Sequence, residues 1–368
     1  MIHYFDYNAT APIRDEVIDL MSAQMRIVGN ASAIHKSGRI AHSVTEKGRE
    51  QVAAFTGVSP NQVIFNSGAT EGNNTLLYGL KDYNYIVSDI EHPAVRKPVG
   101  ESAHIIKVDN NGVINLEHLE QLLVQTPKPV IVSVMYVNNE AGTIQPVEEV
   151  GRLCKIHGAL FHTDAVQAAG KLPLDLEKLG VDYMTLSAHK YGGPQGIGAL
   201  IYAKGKPPPK MITGGSQESY QRAGTMNVAG IAGMGLASEM ADKERDHYES
   251  HIRPWRDQIE TELLKFKRED GTNRVDILAY DSPRVANTSL FMVHDIKADT
   301  FIMKSDMAGI CASSGAACSS GSVKNSQMVE TLRPNLTEKM AVMRLSMGWK
   351  TNQGDIDAFL KFWHNLMK

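Results

Sequence analysis

The stretch Tyr183-Met184-Thr185-Leu186-Ser187-Ala188-His189-Lys190-Tyr191-Gly192-Gly193-Pro194 joins a short apolar run to a polar elbow and a glycine turn. Tyr183 to Leu186 reads as a buried strand, and the Gly-Gly-Pro sequence ends it in a tight turn. A solvated surface lysine is the bland alternative for Lys190. An amine at the end of a core strand in a convergent pocket instead suits a task such as Schiff-base formation.

The same arrangement repeats on both sides. Val63 to Phe65, Tyr85 to Val87, Val130 to Tyr136, Leu160 to His162 and Ala199 to Tyr202 read as further strands, with polar elbows and helical stretches between them. Such alternation predicts an α/β chain with a mostly parallel sheet covered by helices. Ligands of these sheets sit beyond the carboxyl ends of the strands, where the elbows converge. From Gly230 to Lys267 the pattern becomes one long charged helix. Shorter strands at Val275 to Tyr280 and Ser289 to Val293 then announce a second, α+β unit, closed by a helix around Asp355 to Met367.

The elbows carry the candidate chemistry. Asn66-Ser67-Gly68-Ala69-Thr70-Glu71-Gly72 opens a helix, so the backbone N–H groups around Ala69 and the Thr70 hydroxyl make either an ordinary helix cap or a phosphate cradle. Ser88-Asp89-Ile90-Glu91-His92-Pro93 puts His92 at a helix start, as a capping residue or as a ring able to stack on a flat ligand. Asn138-Asn139-Glu140 offers amides at the same edge. Thr163-Asp164-Ala165-Val166-Gln167 gives a carboxylate that caps a helix or holds a ring nitrogen protonated.

The bulk numbers exclude other classes. A length of 368 residues suggests a large and a smaller domain, and a formal net charge of −3 without a dense basic run gives no field for nucleic acid. No apolar stretch approaches the roughly 20 residues that span a bilayer, and the first residues lack a basic-then-apolar leader, so a cytoplasmic location is expected, with no membrane partner. Cys154, Cys311 and Cys318 form no Cys-x-x-Cys pair, and no His-Glu-x-x-His occurs, so neither a disulfide framework nor a metal site is expected. Cys154 and Cys311 read as packing residues. Cys318 sits among Ser and Gly, in Ser313-Ser314-Gly315-Ala316-Ala317-Cys318-Ser319-Ser320-Gly321, which does not read as core.

The order Thr70, His92, Asp164, Gln167, Ser187-x-His189-Lys190 resembles the class V, fold-type I enzymes that use pyridoxal 5'-phosphate (PLP). The chain is most similar there to cysteine desulfurases of the nitrogen-fixation and iron–sulfur-cluster assembly type. Asp6-Tyr7-Asn8-Ala9-Thr10-Ala11-Pro12, Gly29 to His35, Gly214 to Glu218, Arg222-Ala223-Gly224-Thr225-Met226-Asn227, Ser313 to Cys318 and Arg344-Leu345-Ser346-Met347-Gly348 carry the likeness from residue 6 to 348. Ala316 departs from the Ser of many relatives, and Val323-Lys324-Asn325-Ser326 from their Leu-Glu-Pro-Ser.

The resemblance implies a large PLP-binding domain over residues 16–250 with a seven-stranded, mostly parallel sheet. It also implies a small C-terminal α+β domain over 251–368 carrying the catalytic cysteine, and an N-terminal segment over 1–15 packing with the small domain. Lys190 would hold PLP as a Schiff base and move protons, Asp164 would pair with the ring nitrogen, Gln167 would bond the ring hydroxyl and His92 would stack on the ring. Ala69, Thr70, Ser187 and His189 would hold the phosphate, with Thr225 reaching in from the second subunit of a homodimer. Asn8, Asn138 and Arg344 would bind L-cysteine, the guanidinium taking its carboxylate. Cys318 would accept the sulfur as a persulfide, leaving L-alanine, and pass it to an acceptor protein such as a cluster scaffold or a tRNA-modifying enzyme, without direct contact to nucleic acid. Selenocysteine lysis or transamination on the same frame, and a catalytically silent binding subunit, are the competing readings.

Overall fold

The computed structural model describes residues 2–314, 316–319, 322–325, 327–333, 337 and 340–368, with the side chains of 316–319, 322–325 and 327 left aside. Seven strands build the main sheet: β1 (Val63–Asn66), β2 (Asn84–Ser88), β3 (His104–Ile106), β4 (Val130–Ser133), β5 (Leu160–Asp164), β6 (Tyr183–Ser187) and β7 (Gly198–Tyr202). Their spatial order is β1-β7-β6-β5-β4-β2-β3, and β7 alone runs against the others. The expected seven-stranded, mostly parallel sheet is thus present. Every residue of β4 and β6 is buried, because helices cover both faces and an alternating polar face would have nowhere to go.

The reversed strand matters to the site. Gly198, at the start of β7, pairs with Asn66 at the end of β1 and with Ser187 at the end of β6. The beginning of one strand and the ends of its two neighbours therefore lie together. A Cβ at Gly198 would fall 2.5 Å from the Leu186 carbonyl and 2.7 Å from Gly68 Cα, so only glycine lets the strand approach the Gly68 turn.

The smaller unit is a four-stranded antiparallel sheet in the order Ser313–Ser314, Met340–Ser346, Thr288–His294, Val275–Ile277. Phe291, Phe301, Phe359 and Trp363 form its aromatic core together with Phe5 from the chain's start. His3–Tyr4 pairs in parallel with Ile310–Cys311, and Asp6 bridges to Ser346. The first residues thereby run as a strap from the small sheet toward the ends of β5 and β6. No helix among the described residues is long and apolar enough to cross a membrane.

Two local expectations need correction. The helix anticipated from Gly230 to Lys267 is broken into Val228–Lys243, a short turn at Arg245–His247, a wide turn at Tyr248–Ile252 and a helix at Arg253–Leu264. Pro254 has no N–H for the carbonyl four residues earlier, and the backbone widens just before it. Strand β4 ends at Ser133 rather than Tyr136, since the Met135 N–H is taken by the Glu91 side chain. Strand β3 was not anticipated, because three residues are too few to show periodicity.

Candidate active site

At the carboxyl end of the main sheet the elbows enclose a cavity of about 570 Å³. Asn8, Ala69, Thr70, His92, Asp164, Gln167, Ser187, His189, Lys190 and Arg344 all line it. Residues spread over more than 330 positions of sequence meet there because strands β1, β2, β5 and β6 all end at the same edge of the sheet and the N-terminal strap runs to that edge.

Lys190 closes a single turn after β6, and its Nζ donates to the main-chain carbonyls of Asn8 at 2.6 Å and Ala9 at 2.8 Å. Burial, with the like charge of Arg344 behind it, pushes its pKa down to about 8 against the pull of Asp164 and Asp6. This is an amine held close to its neutral, nucleophilic form.

Asp164 ends β5 and is only 6% exposed. Its carboxylate accepts from Asn73 Nδ2 at 2.9 Å and from the Val166 N–H at 3.1 Å, and among the described residues no cationic side chain pairs with it. A buried carboxylate without a cation is costly unless a ligand brings one, so the site fits a protonated ring nitrogen. Beneath it, His162 is enclosed between the hydroxyls of Ser133 and Thr185, and burial lowers its pKa to about 4. It is neutral and brings no positive charge to Asp164.

His92 caps the helix Pro93–Val99, its Nδ1 accepting from the Ala94 N–H at 3.1 Å. That bond assigns the remaining proton of the neutral ring to Nε2, and burial holds its pKa below the ordinary histidine value. Gln167 donates from Nε2 to the Asn8 carbonyl at 2.9 Å.

The anion end of the cavity is the start of helix Ala69–Gly79. Gly68 precedes it with φ of 143°, and the first N–H groups of the helix have no intrahelical acceptors. Ser187 Oγ lies beside Gly68, and His189 lines the same cavity. Glu71, which would oppose an anion, is engaged elsewhere, accepting from the Ser67 N–H at 2.8 Å and from Arg222 Nε at 2.8 Å. These donors fit a phosphate.

At the opposite end Arg344 donates to the Asn139 carbonyl at 3.0 Å, to Asp6 Oδ1 at 2.7 Å and to Ser313 Oγ at 3.1 Å. Its Nε is buried without a partner.

Two of the anticipated residues stand apart from this wall, and the side chain of a third is outside the described residues. Asn138 is 1% exposed and turned inward, its Oδ1 accepting from the N–H groups of Glu140 and Ala141, while the neighbouring Asn139 lines the cavity. Thr225 lies in a smaller adjoining cavity that shares Ser67 and Gly196 with the main one. Cys318 falls in the strand Ala316–Ser319, paired with Ser322–Asn325, and its side chain lies outside the described residues. Of the other cysteines, Cys154 is buried in the core as expected, whereas Cys311 is half-buried at the edge strand that receives His3–Tyr4.

Sequence reasoning missed two buried charged residues beside the site. Glu91 is 4% exposed, and its Oε1 accepts from Ser88 Oγ and the Met135 N–H, both at 2.6 Å. Burial raises its pKa to about 8, so it is a neutral acid that buckles the His92 elbow to the end of β4. Lys171 lies behind Gln167. Neither carries a signal in sequence, because a charged residue next to an elbow ordinarily faces water.

Comparison with known proteins agrees with this arrangement. The family model for class-V aminotransferases matches residues 3–359. A protein named cysteine desulfurase IscS from Dictyoglomus turgidum is 35% identical over 370 residues, covering 96% of this chain and 91% of that one. The crystal structure of a NifS-like protein from Rickettsia africae superposes with a TM-score of 0.90 at 32% identity, covering 100% of this chain and 99% of the other. A structure described as SspA in complex with cysteine reaches a TM-score of 0.78 at 26% identity, covering 94% of this chain and 98% of that one. Fold type I is thereby established, PLP is the family's cofactor, and the chain belongs to the class-V aminotransferase family, among the cysteine desulfurases.

Proposed function

We propose that this chain is a PLP-dependent cysteine desulfurase whose residues divide the work as the cavity arranges them. The observation that carries the reading is Lys190, an amine lowered to about 8, sharing a cavity with the buried, cation-free Asp164. Ala69, Thr70, Ser187 and His189 hold the phosphate, Asp164 the ring nitrogen, and Gln167 the ring hydroxyl, with His92 over the ring. When bound, PLP is the electron sink for bonds broken on the substrate amino acid.

The protein's own groups do the rest. Arg344 binds the α-carboxylate through its unpartnered Nε and a neighbouring N–H, orienting the cysteine so that its α-carbon faces Lys190. Asn8 and Asn139 complete that end of the wall. Lys190 takes the proton from the α-carbon and later returns one, which its lowered pKa allows near neutrality. The Cys318 thiolate attacks the substrate sulfur, so that an S–S bond forms as the carbon–sulfur bond breaks. With a proton returned to the carbon, cysteine plus the enzyme thiol becomes alanine plus the enzyme persulfide, and no external oxidant or reductant is needed.

A protein acceptor then takes the sulfur, a cluster scaffold or a tRNA-thiolating enzyme. The enzyme acts as a homodimer in the cytoplasm. The position of Thr225, in a side cavity rather than on the main wall of its own chain, agrees with its serving the partner's site. Alanine and sulfide measured from L-cysteine test the assignment: Cys318→Ala is expected to keep the PLP absorbance and lose both products, and full retained activity would overturn the persulfide step.

A further inference from the structure

Behind the cavity wall a polar chain runs from one lysine to another. Lys190 Nζ donates to the Asn8 carbonyl at 2.6 Å, and Gln167 Nε2 donates to the same carbonyl at 2.9 Å. The other side of the Gln167 amide faces Lys171, whose Nζ donates to the Gln167 main-chain carbonyl at 2.9 Å and lies 3.5 Å from Oε1. Lys171 is 8% exposed, and among the described residues no carboxylate lies within ion-pair reach of it.

Burying an amine with no acid partner is expensive, and a leucine or methionine would fill the same volume without that cost. Its contacts show what the amine does there. An ammonium at this position has only donors to offer its neighbour, and a glutamine amide can present either its oxygen or its NH₂ group. With Lys171 behind it, Oε1 is drawn back, and Nε2 is the end left toward the Asn8 carbonyl and the cavity. If the amide flipped, its NH₂ group would meet the Lys171 donors and its oxygen would meet the Asn8 carbonyl oxygen, two repulsive contacts in place of two favourable ones.

We propose that Lys171 is a positioning residue of the reaction, which fixes the Gln167 amide with its donor side toward the cavity and so orients the donor that meets the cofactor's ring hydroxyl. The proposal rests on the reading that Gln167 faces that hydroxyl. A donor there favours the deprotonated oxygen of the ring, so losing it shifts the protonation of the bound cofactor. The charged and titratable groups around this chain are Lys190, Asp164, His92, His189, Asp6 and Arg344, all retained when Lys171 is replaced. Burial and the like charge of Lys190 lower the Lys171 pKa to about 7, so near neutrality it carries a fractional charge whose removal acts in the same direction as the lost orientation.

The test uses the PLP-loaded enzyme and two readouts that do not depend on turnover: the pH midpoint of the visible absorption band, and the PLP dissociation constant after dialysis. Lys171→Met, which keeps the volume and removes the donors, is expected to raise the midpoint by about one pH unit and to weaken PLP binding about tenfold. Lys171→Arg is expected to restore both values at least halfway. An unchanged midpoint and affinity in Lys171→Met overturn the proposal, as does an arginine variant that behaves like methionine. If Lys171→Met does not fold, Lys171→Gln carries the same comparison. Gln167→Leu separates the two levels. Where it moves the band and Lys171→Met does not, only the role of Lys171 fails; where neither moves it, the placement of Gln167 against the ring fails, and the role of Lys171 with it.

Discussion

Arg344 Nη2 donates to Asp6 Oδ1 at 2.7 Å, tying the last strand of the small sheet to the first residues of the chain. Through the same strap, Asn8 and Ala9 offer their carbonyls to Lys190. The N-terminal segment therefore sets the separation between the cation assigned to the substrate carboxylate and the amine assigned to its α-carbon. This explains how two ends of the chain come to form one site, since residues 6–9 bond both Arg344 and Lys190.

From this follows a prediction for Arg344→Lys. A lysine keeps one positive charge but cannot hold Asp6, Ser313, the Asn139 carbonyl and a carboxylate together, because it lacks the planar fork. KM for L-cysteine is expected to rise about tenfold or more, the worth of a lost charge-assisted bond. The visible band of bound PLP should be nearly unchanged. Steady-state kinetics with parallel spectra check both, and an unaltered KM would remove Arg344 from the substrate site.

A pH dependence follows from Lys190. Its pKa of about 8 lies below the ordinary lysine value because of burial and Arg344, so the neutral amine appears as pH rises through 8 rather than above 10. At pH 8 roughly half of the amine is free, against about 0.3% for an unperturbed lysine. The rate at which apoprotein captures PLP is expected to climb with pH and level off above 8, as followed by growth of the visible band. A rate still climbing steeply at pH 10 would contradict the environment described for this lysine.

Much of this site was legible in the sequence because its parts are strand ends. A buried parallel strand shows as a short apolar run, and the residue after it must lie at the ligand edge, which placed Asp164, Ser187, His189 and Lys190 before any coordinates. What could not be read depends on side-chain direction within irregular backbone. Asn138 and Asn139 are adjacent amides in one turn, and only the hydrogen bonds of Glu140 and Ala141 decide that the first turns inward. Glu91 and Lys171 are charged residues whose burial comes from tertiary packing, and no local pattern marks it.

Asp164→Asn tests the ring-nitrogen partner. An amide keeps the volume, its one oxygen can accept from the Val166 N–H, and its NH₂ group can meet Asn73 once that amide turns its unpartnered Oδ1 toward it, but it cannot hold a nitrogen protonated. PLP is expected to remain bound, with kcat lowered about 10²-fold or more, the scale of losing a preorganised electrostatic partner. Alanine production checks the rate, and absorbance checks occupancy. Activity within a few-fold of the parent would refute the pairing.

The last prediction concerns the segment that carries Thr225. Glu218, Ser219 and Tyr220 have φ of 46°, 52° and 65°, three successive left-handed residues without a glycine. Such a turn is strained, and something must hold it. Arg49 does so by a two-point pair with Glu218, at 2.8 Å and 2.7 Å, and the Phe65 N–H adds a third bond to the same carboxylate at 2.9 Å. Both side chains are nearly enclosed, so removing Glu218 strips Arg49 of its buried two-point partner and leaves it only the more exposed Glu46, at 3.1 Å, and the Val63 carbonyl. Glu218→Ala is expected to lower stability by about 2 kcal/mol in denaturant unfolding, the scale of losing hydrogen bonds to a buried charged group. Arg49 would lose two of its bonds while β1, which it braces through the Val63 carbonyl, would lose the Phe65 bond. Since β1 leads directly into Gly68 and the helix assigned to the phosphate, PLP affinity should fall along with stability. A Glu218→Ala protein as stable as the parent would mean that the left-handed turn is held by other contacts.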